Sequence, residues 1–565
     1  MNGMWLLLFS AVYFAIAYIV YGRFIAKRFG VDDNRPCPSH TEEDGVDYVP
    51  THPAVLFGHH FASIAGAGPI VGPVLAALFG WGPAVLWILL GCVFIGAMHD
   101  FSAMFLSVRH KGRSIAYAIE EQLGFWGRQI FLLFCLIALV LVVAVFTLQV
   151  ADGFIANPSV ATSSILFIIL APIFGELTKS KQLSLMEASF IFVPLLFVLV
   201  WFGTVIPFDL AAVVSGPETA RSIWIMALLY YAMIASVIPV WLLLQPRDYL
   251  NSFLLYGMMI FGFAGVIWAK PAFALPALES NAKIIPSVMP LLFVTIACGA
   301  CSGFHALVAS GTSAKQLDRE SHIKPVAYGS MLVEGILAIL AVISIGYLDM
   351  DGVRALLTGP QKVTPAIAFA KGLAHFATSL GVKEEIGFNF ISLAISAFML
   401  TSLDTATRLA RFVWQELMLP SEKSEDAAKP AAEAKTHAKW RQLFGNRWVA
   451  TLIVVLLGGY LALSGEGMNI WPVFGASNQL LAALTLLTVT IWLARKKYPT
   501  LFAMLPMAFM MLISVWALII LIKQKWGNWV LVSVSFILLV LALALVALAF
   551  NALCRKRADA SEKSN

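Results

Sequence analysis

Two adjacent histidines, His59 and His60, open the stretch GHHFASIAGAGPIVGP (residues 58–73). They lie in an apolar segment long enough to cross a membrane. Imidazole donates, accepts and titrates near neutral pH, so the pair suits ligand binding, proton movement or metal ligation. Ser63 follows, then the small-residue run Ala65, Gly66, Ala67, Gly68 and Pro69. Glycine and proline are poor helix formers, and proline also removes a backbone donor. In lipid, freed backbone groups need partners within the protein or in a water-lined cavity. A spanning segment broken near its middle is therefore a candidate binding element whose backbone donors and helix ends suit a carboxylate. Close helix packing by small residues is the alternative.

Other polar groups sit in apolar surroundings, where burial is costly. A second interruption is expected at Ser236 and Pro239, in the middle of a span over 222–245. His99 and Asp100 lie well inside another span; Asp100 is a candidate proton carrier, and a structural pair near the inner interface is the alternative. Glu334 is intramembrane as well. The i, i+4 spacing of Asp404 and Arg408 predicts a salt bridge on one helix face. The span over 287–314 holds Cys298 and Cys301 on one face, with Ser302 beside them and His305 a turn on. With His59 or His60 these could bind zinc; small packing residues around one hydrogen-bonded histidine are the alternative. The same span ends in Ala309, Thr312 and Ser313. Their hydroxyls could hold a small cation beside freed carbonyls, or could cap the helix.

These residues need a membrane-embedded scaffold. The chain has 565 residues, 60% hydrophobic and 12% charged, with mean hydropathy +0.84. Fifteen spans are expected, so the fold class is an all-α polytopic membrane protein. The net charge of +6 sits between apolar runs as a topology signal and does not suggest nucleic-acid binding. Lys and Arg gather in alternate loops, which places the N-terminus outside and the C-terminus inside. The six cysteines do not form a secreted disulfide framework. The two interruptions fall five spans apart, an odd separation that gives an inverted 5+5 repeat. The expected organisation is an N-terminal helix and loop over 1–53, a ten-helix transport core over 54–415, a polar cytoplasmic linker over 416–446, four further helices over 447–554 and a charged tail over 555–565. Residues 349–385 suit a surface helix or a re-entrant element.

The blocks HPAVLFGHHFASIAGAGPIVGP, PVWLLLQPRDYL, ACGACSGFHALVASGTSAKQL, SLDTATRLARF and FGASNQLLA resemble the signatures of the carbon starvation protein A (CstA) family. The resemblance runs from about His52 to Leu484. It implies an inner-membrane transporter of the amino acid–polyamine–organocation superfamily with the LeuT-type repeat, taking up peptides or pyruvate, the latter with protons. The expected function is secondary active import of a small carboxylate or short peptide, with no enzymatic activity and no cofactor. His59, His60, Ser63, Gly66, Ala67, Gly68, Ser236, Pro239, Ser302 and His305 would contact substrate. Asp100, Ala309, Thr312, Ser313 and Asp404 would serve the coupling ion, a proton or else sodium. A metal-binding membrane enzyme or sensor using the His/Cys group is the competing reading.

Overall fold

The computed structural model describes residues 2–45, 47–180, 182–239, 241–279, 288–360, 362–418 and 442–562. Most of the expected linker, and the end of the expected tail, lie outside the described residues. Among the described residues thirteen helices are long and apolar enough to cross a membrane, and a bent pair makes a fourteenth candidate span. In chain order they begin with α1 (Gly3–Phe29), the bent pair α2 (Pro53–Ile64) and α3 (Gly68–Ala76), α4 (Trp81–Arg109) and α5 (Ile115–Ala156). Next come α6 (Pro158–Lys179), α7 (Leu185–Val205), α8 (Pro217–Val237) and α9 (Leu244–Ala269). Two half-helices follow, α10 (Val288–Ile296) and α11 (Gly303–Gly311), then α12 (Glu320–Gly346). Residues 349–385 hold two short helices, α13 (Met350–Thr358) and α14 (Pro365–Ala377). The chain closes with α15 (Glu384–Met418), the shorter apolar α16 (Arg447–Leu463), α17 (Trp471–Arg495), α18 (Leu501–Gln524) and α19 (Trp529–Glu562).

The first break lies where the composition places it. Helix α2 ends as Ala65 N–H bonds the Phe61 carbonyl and Gly66 N–H turns back on the Ile64 carbonyl. Helix α3 restarts with Pro69 in its first turn, where the missing N–H costs nothing and φ is already helical. The two halves meet at 46°. Glycine is needed here for close approach: a Cβ on Gly66 would run into Ser402 and Phe146, and one on Gly68 into the Cys298 side chain.

The second break is not at Pro239. Helix α8 stops at Val237, and α9 begins at Leu244 as the next helix. Pro239, lacking an N–H, ends a helix rather than bending one. The second interruption instead divides α10 from α11, through a 3₁₀ turn at Ala297–Gly299 and the extended residue Ser302 (φ −125°, ψ 125°). The two broken helices lie against each other, with Gly72 against the Thr295 and Ile296 backbone and Gly299 against Pro73.

Other features come in pairs around this centre. Helix α4 contains a π-helical turn at Cys92–Gly96, and α12 one at Lys324–Gly329. Such turns widen the helix locally and cluster at functional positions. The first receives Ala300 of the second break beside Gly91 and Gly96; the second packs on α2. The two longest described core helices, α5 and α15, pack along each other, and α8 packs on α16. Helix α9 packs on α2 and α15, while α17 packs on α11 and α5. Helices α12 and α17 are largely buried, whereas α1, α7 and α19 turn apolar side chains such as Trp5, Phe190 and Phe550 outward.

Candidate functional site

Asp100, on α4, is wholly buried and held by two imidazoles. His99 Nδ1 lies 2.8 Å from Oδ1, and His305 Nδ1, from α11, lies 2.8 Å from Oδ2. The other ring nitrogen of His305 faces Glu334 of α12 at 3.4 Å. Neither Glu334 oxygen has a hydrogen-bond partner, and the residue is fully buried. Four titratable groups from three helices thus form one sealed chain beside the second break. The neighbouring pair His99 and Asp100 was legible locally; its extension through His305 to Glu334 was not.

A second buried network joins three of the sequence blocks that carry the resemblance. His59 Nδ1 lies 3.0 Å from Asp248 Oδ2, and Arg247 Nη2 donates to Asp248 Oδ1 at 3.0 Å. Arg247 Nη1 also donates to Asp404 Oδ2, which accepts from the Tyr231 hydroxyl at 2.7 Å. The expected Asp404–Arg408 pair is therefore not formed. Asp404 is taken by Arg247 and Tyr231, while Arg408 Nη2 donates to the Ala235 carbonyl at 2.9 Å and to that of Ile238. Those carbonyls terminate α8 and have no helical partner, so they take the Arg408 guanidinium as their donor in place of the Asp404 carboxylate one turn away.

The remaining expected site residues divide. His60 Nδ1 lies 2.8 Å from Ser313 Oγ, which ties the first break to the end of α11. Ser63 Oγ donates to the His59 carbonyl, and the Ser63 carbonyl accepts from Ser402 Oγ of α15. Gly66, Ala67 and Gly68 are buried at the bend. Thr312 Oγ1 donates back to the Val308 carbonyl at 2.9 Å, the helix-end arrangement, and Ala309 is buried on the same half-helix. Ser236 and Pro239 stand apart. Ser236 Oγ lies 3.4 Å from Thr451 Oγ1 of α16, and Pro239 is exposed at the α8–α9 turn.

Asn478 had no role in the sequence reading beyond its place in FGASNQLLA. Its Oδ1 accepts from Phe304 N at 2.8 Å and so caps α11 from another helix. Its Nδ2 lies 3.0 Å from both Ser302 Oγ and Cys298 Sγ. Asn478→Ala leaves the Phe304 donor buried and unpartnered, and is expected to cost about 1–2 kcal/mol. Asn478→Asp keeps the acceptor and should melt closer to wild type in a detergent thermal-shift assay. Equal losses in the two variants would remove the capping role.

Among the described residues no group of three or more His, Cys, Asp or Glu side chains could hold a metal ion. The zinc grouping fails because Cys298 serves Asn478, His305 serves Asp100 and His60 serves Ser313. A cavity of about 770 Å³ opens beside α11, walled by Leu307, Ser310 and Gly311 and rimmed by Arg113, Arg128 and Lys315 together with Glu120 and Glu416.

A bundle of apolar helices enclosing two interrupted helices and sealed ionisable chains defines a multi-pass membrane protein, the class that houses solute transporters. The chain belongs to the CstA family: the family model described as "Carbon starvation protein CstA" matches residues 2–364 and 357–517. It is 32% identical over 550 residues to the peptide transporter CstA of Bacillus subtilis (strain 168), covering 90% of this chain and 89% of that one. It is 33% identical over 574 residues to the peptide transporter CstA of Escherichia coli (strain K12), covering 88% and 77%. It is 30% identical over 602 residues to the pyruvate/proton symporter BtsT of the same organism, covering 92% and 81%. Among solved structures, MhsT in complex with L-phenylalanine aligns with a TM-score of 0.45 at 14% identity, over 88% of this chain and 99% of that one. A manganese transporter mutant from Eremococcus coleocola aligns with a TM-score of 0.43 at 12% identity, over 91% and 98%. These relatives give no support to a metal-dependent enzyme or sensor.

Proposed function

We propose that the chain is a secondary active transporter that imports pyruvate or a short peptide across the bacterial inner membrane, driven by protons. The observation that carries this is the sealed chain His99–Asp100–His305–Glu334 against the second break. Intramembrane carboxylates and histidines in sequence are the usual means of moving a proton through a transporter. The substrate classes come from the relatives' names. Substrate meets the first break at His59, His60, Ser63, Gly66, Ala67 and Gly68, with Ser302 and His305 opposite.

The core is an inverted repeat in a register different from the expected one. One unit is α2–α3, α4, α5, α8 and α9; the other is α10–α11, α12, α15, α16 and α17. Paired breaks, paired π turns and the reciprocal packing of α9 and α17 support it. Helices α6 and α7 are inserted in the first unit, α13 and α14 in the second. The N-terminus lies outside and the C-terminus inside. A proton is favoured over sodium, since the Thr312 and Ser313 hydroxyls already bond Val308 and His60.

Purified protein in proteoliposomes should accumulate labelled pyruvate, or a di- or tripeptide, under an inward proton gradient, and do so equally in Na⁺ and K⁺. Failure to accumulate any of them overturns the substrate reading; a strict Na⁺ requirement overturns the proton.

A further inference from the structure

Resting on the proton-coupled reading above, we infer that the coupling proton resides on Glu334, which shares it with His305 Nε2, and that Asp100 positions this pair without carrying the proton.

The argument starts from hydrogen-bond accounting. Asp100 has a donor on each carboxylate oxygen, at 2.8 Å from His99 and 2.8 Å from His305. Two imidazole N–H groups satisfy an ionised carboxylate, so Asp100 keeps its charge. They also fix the His305 tautomer: Nδ1 carries the hydrogen that Asp100 accepts, and Nε2 is left as an acceptor. Nε2 lies 3.4 Å from a Glu334 oxygen, close enough for an ion pair but not bonded to it. Glu334 is in the opposite condition to Asp100, with both oxygens buried and without a donor. An unpaired carboxylate sealed from water is the costliest state the side chain can adopt, and a neutral acid avoids that cost. The Glu334 O–H then has an acceptor close by in His305 Nε2. Closing the 3.4 Å gap by a small rotation completes the chain His99–Asp100–His305–Glu334.

The surrounding groups do not offer a rival proton. Facing Glu334 are Cys92 from α4, Cys298 and Cys301 from the second broken helix and, through Cys92, Tyr13 of α1. Cys92 Sγ donates to the Gly299 carbonyl and Cys298 Sγ accepts from Asn478. His60 of α2 is engaged with Ser313, and His59 with Asp248. Lys371 and His375 of α14, which packs on α12, belong to its far end, where His375 stacks on Tyr347.

The arrangement links proton to gate. With the proton on Glu334, or passed to His305 as an imidazolium between two carboxylates, the trio carries one net negative charge. Release breaks the Glu334 O–H bond and passes the proton to water, leaving two negative charges in a sealed space. That step becomes affordable only when water enters along α11, whose inner end walls the 770 Å³ cavity. Protonation is thereby tied to the closed centre and deprotonation to the opened one.

The test uses full-length protein in proteoliposomes with a lumenal pH dye and the labelled substrate that wild type accumulates. Glu334→Gln should lower the number of protons moved per substrate at least tenfold. Asp100→Asn should slow uptake while leaving that ratio within twofold of wild type. Glu334→Asp, the stronger acid, should restore coupling and move the pH midpoint of uptake down by about 0.4 unit. A folded Glu334→Gln protein with the wild-type ratio overturns the assignment, as does an Asp100→Asn protein that loses the ratio while Glu334→Gln keeps it. If Glu334→Gln does not survive size-exclusion chromatography, a folded Glu334→Asp with an unmoved pH profile overturns it instead. Wild-type vesicles that accumulate nothing under a proton gradient would overturn the underlying transport reading, a result separable from any of these.

Discussion

Arg247→Met is expected to destabilise the protein by about 3–5 kcal/mol, the range for removing one partner of a buried ion pair. Arg247 is almost wholly buried and donates to Asp248 and Asp404 at once. Without it, Asp404 retains only the Tyr231 hydroxyl, and Asp248 only His59. Two buried carboxylates would then face apolar surroundings with one donor each. The loss is local to the junction of α2, α8, α9 and α15, four core helices that this network ties together. A double-mutant cycle with Asp404→Leu provides the check. The double variant should melt above the sum of the two single losses, because deleting both charges removes one of the two carboxylates left uncompensated, Asp248 remaining. Additive losses in a detergent thermal-shift cycle would show that Arg247 and Asp404 are not coupled.

The same network shows why parts of the site escaped the sequence. A local rule pairs Asp404 with Arg408 one turn on, and the rule is sound for an exposed helix. Here the helix is buried, and Arg247, 157 positions earlier, reaches Asp404 across the α9–α15 contact. The carbonyls at the end of α8 then claim Arg408. Helix-end accounting could have found that demand, but only with the knowledge that α8 ends there. The misplaced break has a related cause. Pro239 is the strongest local stop signal in its neighbourhood, yet it separates two complete helices. The actual second break, ACGACSG at 297–303, carries no proline; its signal is two glycines among short side chains, and the room for Ala300 comes from Gly91 and Gly96 of α4. The first break was legible because glycine and proline coincide there with intramembrane histidines. Glu334 was visible as an intramembrane acid, but nothing in its own helix names His305 as its neighbour.

Gly72→Ala is the substitution expected to damage transport most for the smallest chemical change. Gly72 lies in α3, four residues past the bend, and its missing side chain is where the second broken helix passes. An added Cβ would lie 2.5 Å from the Thr295 carbonyl oxygen and 2.9 Å from Ile296 Cα. Both obstacles are backbone, so no rotamer change relieves the overlap. One broken helix must back away from the other. Overpacking of this kind costs about 1–3 kcal/mol in a close-packed interior. Its functional effect should exceed its effect on stability, because alternating access in a repeat-built transporter rocks one set of helices against the other around the site that the two broken helices form. Gly68 is held as closely, but against the Cys298 side chain. A fall in proton-driven uptake of at least tenfold is expected for Gly72→Ala, with a melting temperature loss of the same order as that of Asn478→Ala. Gly527→Ala, at a position with nothing within 4 Å, should transport normally and serves as the control. Wild-type uptake by Gly72→Ala would mean that the two broken helices are free to separate there, and that their close contact does not constrain the transport cycle.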